Sequence, residues 1–562
     1  MRDNRATIWI GLIILSNVSI AVSCSYTKEV PQSVIKQWGV FEKVLTSTNH
    51  NSNSQKYKDI IVNATFTGPK GIQYKVPGFW DGGNTWRIRF SPTLPGHWTY
   101  KIDSTDDQLD AAENDGSFTA VEPDPHDIAV NPNYRGFLRL SPNRRYLTYH
   151  DGTPFFWLGD TVWDGNSKNM PYETDFKLYV ENRRGKRFSV IQILVAHPGQ
   201  RIIQLSFRGC KPPRNTGCNE AGYVYKLPST LSRISSRLYR FVDSEATEYP
   251  EEINPESFQN LDLRLKFILD NGMVPYVVFA WAKDFSALSP DSLKHYARYI
   301  IARYQAYNVI WCISGEHYLL EDKTKFKAIG KYVHEIDTLN HLTTIQGWTR
   351  DFVGEPWIDF ISATAWDLPE KMYDVLFHTL QRPGLPFVMS ESRYDGNEPT
   401  AEYRSRKYAL EALAAGAMGY TYGADGIWDW GTDRRYPDPR SRLDIQSSSE
   451  MKLIGEFFTG LEWWKLFPGD RLANSGRVLA EPGKQYLVWL NGGGSTTLTL
   501  PSRPSRFAAM WFDPIHGTKT ASTGVIAGGE QTFTAPFNGD AVFYLNLDAV
   551  GSSSDVTQAT AH

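Results

Sequence analysis

The chain has 562 residues, with 59 Lys and Arg against 62 Asp and Glu, for a net charge of -3. That length exceeds a single core and implies two or three domains, and the even charge balance excludes a broad basic field for nucleic acid. Aromatic residues make up 14%, with 18 Trp and 29 Tyr, a content that suits either β-rich cores or flat platforms for the apolar faces of sugar rings.

Residues 1–23 read as an export signal, with Arg2 and Arg5 ahead of the apolar run Ile8 to Val22. The segment Ala21-Val-Ser-Cys24 resembles a bacterial lipoprotein signal, with Ala21 where leucine is usual. Lipidation of Cys24 is therefore expected, placing the chain in the periplasm or at the cell surface of a Gram-negative bacterium, anchored to the outer membrane. No other stretch reaches the ~18 apolar residues of a spanning helix, so the expected membrane contact is the lipid alone. A linker fills residues 24–36.

Residues 37–122 form short segments of period two, among them Ile60-Ile-Val-Asn-Ala-Thr-Phe66 and Trp86-Arg-Ile-Arg-Phe90, separated by Gly and Pro. Such a pattern predicts an immunoglobulin-like β-sandwich, and Pro123-Asp-Pro-His-Asp reads as the linker after it.

Between 134 and 460 strands alternate with helices. Apolar strands are expected at Phe155 to Asp160, Phe188 to Val195, Val274 to Trp281, Val309 to Glu316, Leu342 to Trp348, Ile358 to Trp366, Phe387 to Glu391 and Met418 to Gly423, with helices between most of them. Eight strands over this length predict a closed (β/α)8 barrel rather than an open sheet. A long polar excursion after strand two, 197–252, carries Cys210 and Cys218 in a Pro/Gly-rich loop suited to a small disulfide. Cys312 lies within an apolar strand and reads as inert core. Alternation returns over 470–547, a second β-sandwich, and the Ser/Thr/Ala-rich tail 548–562 reads as disordered. No metal-binding spacing is present, and no cofactor is expected.

Two of the barrel strands end in a carboxylate, Glu316 on strand four and Glu391 on strand seven. The carboxyl ends of barrel strands meet at one mouth, where such barrels keep their chemistry. Facing carboxylates are what glycoside hydrolysis requires. The structural alternative is two polar residues just beyond strand ends.

Three segments together look like the apiosidase-like glycoside hydrolases of polysaccharide-degrading bacteria: Trp157-Leu-Gly-Asp-Thr-Val-Trp163, Ile310-Trp311 through Gly315-Glu316, and Gly419-Tyr-Thr-Tyr-Gly423 with Gly426-Ile-Trp428. The flanks agree: Val76-Pro-Gly-Phe-Trp-Asp-Gly82 resembles the sandwich that precedes this barrel, and Trp511-Phe-Asp-Pro-Ile-His-Gly517 the small collagen-binding-type domain that follows it. The resemblance implies a strand-four general acid/base, Glu316, and a second catalytic carboxylate, Glu391, here given the role of nucleophile in a retaining reaction. One departure is Gly315-Glu316-His317, where apiosidases commonly have Gly-Asp. The longer acid points to a substrate other than an apiose linkage. Expected substrate contacts are Asp160, Trp163, His197, Trp281, Asp284, His317, Trp348, Trp366, Tyr394, Tyr422 and Trp428, with Arg393 holding Glu391 charged.

The expected partner is a plant or algal cell-wall polysaccharide or an oligosaccharide from one, with no nucleic acid; the oligomeric state is open. Two other functions fit the same residues, a polysaccharide lyase recruiting His317, Tyr318, Lys283 or Arg393, and a non-catalytic glycan-binding lipoprotein.

Overall fold

A computed structural model describes residues 33–49, 56–196, 218–226, 252–347, 349–366, 369–380, 385–396, 404–432, 435–502 and 505–547. Cys24 and the tail lie outside these residues.

The N-terminal domain packs a five-stranded sheet on a three-stranded one. Strand Val62–Thr67 alternates buried and half-buried residues along its whole length, so one face of it supplies the core. There Phe66 stacks on Phe90 at 4.1 Å and Phe41 on Phe118 at 4.3 Å. The first strand, Val34–Lys36, pairs in parallel with Gly116–Val121, which seals the sheet edge. Buried charge ties this domain to the barrel: Asp262 accepts from Arg303 at 2.7 Å and from Arg89 at 2.8 Å, and Arg303 also reaches Asp81 at 2.9 Å.

Eight parallel strands form the central domain: Trp157–Thr161, Val190–Leu194, Val274–Val278, Ile310–Cys312, Thr343–Thr344, Ile361–Ala365, Phe387–Ser392 and Gly419–Tyr422. Each neighbours the next, the first pairs with the eighth, and the bridge Gln346↔Ser362 joins the fifth to the sixth. The ring is thus closed. Its strands are buried on both faces because helices cover the outside, which is why they read as continuous apolar runs. At the amino-terminal end a small sheet of Arg139–Leu140, Leu147–Thr148 and Pro154–Phe155 brings Leu147 and Phe155 into the cluster that fills the barrel, with Trp157, Tyr276 and Phe360. That floor leaves the carboxyl-terminal end as the open mouth.

The helix Gln446–Thr459 leads to the C-terminal domain, a six-stranded sheet and a two-stranded ribbon over Phe467–Leu547. It docks on the barrel through Phe457 stacked on Phe512 at 4.4 Å, Trp489 donating to Glu411 at 3.0 Å, and Arg406 bridging Asp540 and Glu450 at 2.8 and 2.7 Å. Of the excursion after strand two, residues 218–226 are described. Asn219 donates to Asn166 and Ser257, and Glu220 pairs with Arg264 at 2.8 Å, so this piece is fastened to the barrel wall.

Candidate active site

Parity along the strands decides which side chains reach the barrel interior. On strand one Trp157 points inward, and its Nε1 donates to Thr421 of strand eight at 2.9 Å. Gln192 of strand two donates to the same oxygen at 3.1 Å. The alternate residues, Leu158 and Asp160 on strand one and Tyr420 and Tyr422 on strand eight, therefore face the helices. Asp160 and Tyr422 are register partners, and both are fully buried. Asp160 accepts from Arg183 Nε at 2.5 Å and from Tyr179 at 2.9 Å, and Tyr422 meets Ser447 at 2.9 Å. These are supports between strand and helix, and the expectation that they contact substrate is corrected.

On strand seven Val388 faces the interior cluster and Met389 the outer one. Strict alternation would send Glu391 outward. The pairing with strand six instead slips by one residue, from Ala363↔Met389 to Thr364↔Glu391. The extra residue, Ser390, is a β-bulge, which re-aims the side chains after it. Glu391 consequently turns into the mouth, where Tyr394 donates its hydroxyl hydrogen to Oε1 and Gln346 Nε2 donates to Oε2 at 3.1 Å. Burial, first, and the charge of Glu316 push its pKa up to about 7, against the hydrogen bonding of Tyr394 and Trp163, which favours the anion.

Glu316 lies beyond the end of strand four, at φ 54°, a left-handed conformation unusual for a residue with a side chain. It caps the 3₁₀ turn His317–Leu319 and is half-buried. Such local strain is characteristic of functional positions. The neighbour Gly315 is held by the Trp281 ring, since a Cβ there would lie 1.9 Å from Trp281 Cζ3.

Aromatic rings line the rest of the mouth. Trp163 packs edge-on against Trp281 at 5.0 Å and donates to the Tyr394 oxygen at 2.9 Å. Tyr394 stacks on Trp428 at 5.8 Å and meets Trp366 edge-on at 5.9 Å. Gly423 makes room for Tyr394, because its Cβ would stand 2.0 Å from Tyr394 Cδ1. Of these rings Trp366 is exposed, Trp281 and Trp428 are half-buried, and Trp163 and Tyr394 are buried.

Three further expectations need correction. Arg393 donates to the Trp366 carbonyl at 2.6 Å, so among the described residues Glu391 is held by a tyrosine and a glutamine rather than by a cation. Asp284 is buried and accepts from the Trp281 amide at 3.3 Å, capping the helix Ala282–Ala287. His317 is buried against Phe352 at 4.9 Å and Phe326 at 6.5 Å. Asp284 and His317 thus sit beneath the surface their neighbours form.

Gln346 was not singled out from the sequence. Its signal was parity, since it stands two positions beyond the strand-five residue Thr344. His197, Trp348 and Cys210 lie outside the described residues, while Cys218 is buried in a short ladder with Tyr223. Among the described residues no group of three or more His, Cys, Asp and Glu is arranged to hold a metal ion.

Comparison with known proteins agrees with this geometry. Residues 141–465 match the model of the apiosidase-like catalytic domain, and residues 34–105 match a domain of unknown function, DUF5060. A protein of Bacteroides vulgatus ATCC 8482, provisionally described as a glycoside hydrolase, superposes with a TM-score of 0.72 at 19% identity, over 92% of this chain and 100% of its own. A family 5 glycoside hydrolase from the same organism gives 0.60 at 17% identity, over 76% and 96%. At these identities the likeness is one of fold. No curated protein matches the sequence. The family match spans more than half of the chain, and the chain belongs to the apiosidase-like family of glycoside hydrolases.

Proposed function

We propose that the chain hydrolyses a glycosidic bond in a plant or algal cell-wall polysaccharide, or an oligosaccharide from one, with Glu391 as nucleophile and Glu316 as general acid/base. The observation that carries the reading is Glu391 itself. A bulge turns it into the mouth, and both of its oxygens accept hydrogen bonds. Donors on both oxygens orient the carboxylate and favour its anion against the burial that raises its pKa to about 7, which suits attack on carbon once the proton has left. Glu316, at a strained strand end and near enough for its charge to raise Glu391, supplies the proton.

In the first step Glu316 transfers its proton to the glycosidic oxygen as that oxygen leaves the anomeric carbon. Glu391 forms an ester bond to the same carbon. In the second step Glu316 takes a proton from water, the water oxygen attacks the anomeric carbon, and the bond to Glu391 breaks. Two inversions give retention. Proton NMR of the first-formed anomer tests this: the substrate's configuration supports the assignment, and the opposite configuration makes Glu391 a base acting on water.

The lyase alternative needs a phenol or imidazole made basic. Tyr318 is instead pushed up to about 12 by burial and by the two carboxylates, and His317 is buried among phenylalanines. Export, lipidation at Cys24 and pairing of Cys210 with Cys218 belong to the same proposal. Mass spectrometry of the mature N-terminus and of a non-reducing digest tests them.

A further inference from the structure

Among the described residues three large aromatic side chains are exposed: Tyr318, Trp366 and Phe467. Phe467 is covered by the Arg145 guanidinium at 3.7 Å. The other two stand at the mouth, each beside a different hydrogen-bond donor of Glu391. Tyr318 belongs to the 3₁₀ turn that Glu316 caps, and its ring lies over Gly347, where a Cβ would come 3.1 Å from Tyr318 Cδ1. Gly347 follows Gln346, the amide that donates to Glu391. Trp366 leans edge-on against Tyr394, the phenol that donates to the other oxygen of Glu391, and Arg393 pins its backbone carbonyl. Exposed rings beside a polar centre present apolar surface to solvent.

Resting on the hydrolase reading above, we propose that Tyr318 is the platform for the leaving-group sugar and so determines specificity, with Trp366 serving the sugar on the other side of the scissile bond. The sidedness follows from the chemistry. The acid must reach the leaving oxygen, and Tyr318 shares its turn; Trp366 is attached to the nucleophile's tyrosine. The fitting ligand is a sugar ring with an apolar C–H face, stacked on the phenol ring. The hydroxyl contributes little, because the ring makes the contact.

The test uses the full chain and two substrates: an oligosaccharide that it cleaves, and the glycosyl fluoride of the sugar released from it, with the anomeric configuration of the original bond. The fluoride keeps the glycone and carries no leaving-group ring. Tyr318→Ala is expected to raise KM on the oligosaccharide at least tenfold while changing kcat/KM on the fluoride less than threefold, which also shows that the variant is folded. Tyr318→Phe retains wild-type values on both, and Trp366→Ala weakens both substrates. Equal losses of Tyr318→Ala on the two substrates, or a Tyr318→Phe as impaired as the alanine variant, overturn the proposal. If the wild-type chain gives unsaturated products and leaves the fluoride intact, the hydrolase reading fails first and this assignment falls with it.

Discussion

Tyr394 donates its phenolic hydrogen to Glu391, three residues before it, and receives one from Trp163 at 2.9 Å on its other side. The indole polarises the phenol, and the phenol stabilises the anionic carboxylate, so loops after strands one and seven act on one proton equilibrium. Tyr394→Phe removes the donor and leaves burial and Glu316 unopposed on that oxygen. The acid limb of kcat/KM, expected near 7 in the wild type, moves upward, and kcat falls roughly tenfold to a hundredfold, the scale of about 1.4 kcal/mol per tenfold. Trp163→Phe shifts the limb the same way by less. A pH–rate series on the three proteins measures both effects.

Stability carries the opposite sign from activity at this residue. Glu391 has a folded pKa of about 7 against an ordinary value of 4.5, so between those values the native state holds the extra proton. Stability contributed by this group is complete below about 4.5 and declines as pH rises through 7. Glu391→Gln abolishes that decline and is expected to stabilise the chain at pH 8, by roughly 3 kcal/mol at about 1.4 kcal/mol per pKa unit, and to match the wild type at pH 4. Gln346 accommodates the new amide by turning its own, since its Oε1 has no hydrogen-bond partner among the described residues. Denaturant titrations at the two pH values measure the difference.

Gly423→Ala is expected to reproduce the Tyr394→Phe pH profile without touching the phenol. The new Cβ would overlap the ring at 2.0 Å, and the ring has to leave its hydrogen bond. The loss of stability stays within the 1–3 kcal/mol of typical overpacking, about that of a single crowded methyl. A profile unchanged from wild type would mean that the ring's position does not control Glu391.

Asp160 separates support from substrate contact. Removing its charge leaves Arg183 uncompensated at zero exposure, and breaking such a buried pair costs about 3–5 kcal/mol. Asp160→Asn should therefore unfold at much lower denaturant, while the folded fraction keeps a KM within about twofold of wild type, a change below about 0.5 kcal/mol. A raised KM at unchanged stability would restore Asp160 to the binding site.

These contrasts mark what was legible in the sequence. Runs such as Val190–Leu194 and Val274–Val278 are buried on both sides and therefore stand out as apolar stretches, so the eight strands and both strand-end glutamates were readable. Facing direction was not, because a strand buried on both sides shows no alternation of polarity. Asp160 and Tyr422 stand in conspicuous motifs yet point at helices, and Glu391 points inward only because strand seven gains a residue at Ser390. Gln346 went unnoticed for a related reason: strand five has only Thr343–Thr344 in register, too short a run to establish parity. Capping by Asp284 and burial of His317 depend on which neighbours fold over them, information carried by tertiary packing alone.

The most direct test of the two-carboxylate account is product mass spectrometry in H2¹⁸O on plant and algal polysaccharides and their oligosaccharides, comparing the wild type with Glu316→Gln and Glu391→Gln. The account predicts saturated fragments carrying one ¹⁸O at the new reducing end from the wild type, and almost none from either variant. Unsaturated fragments without the label, or variants that cleave nearly as fast as the wild type, would contradict it.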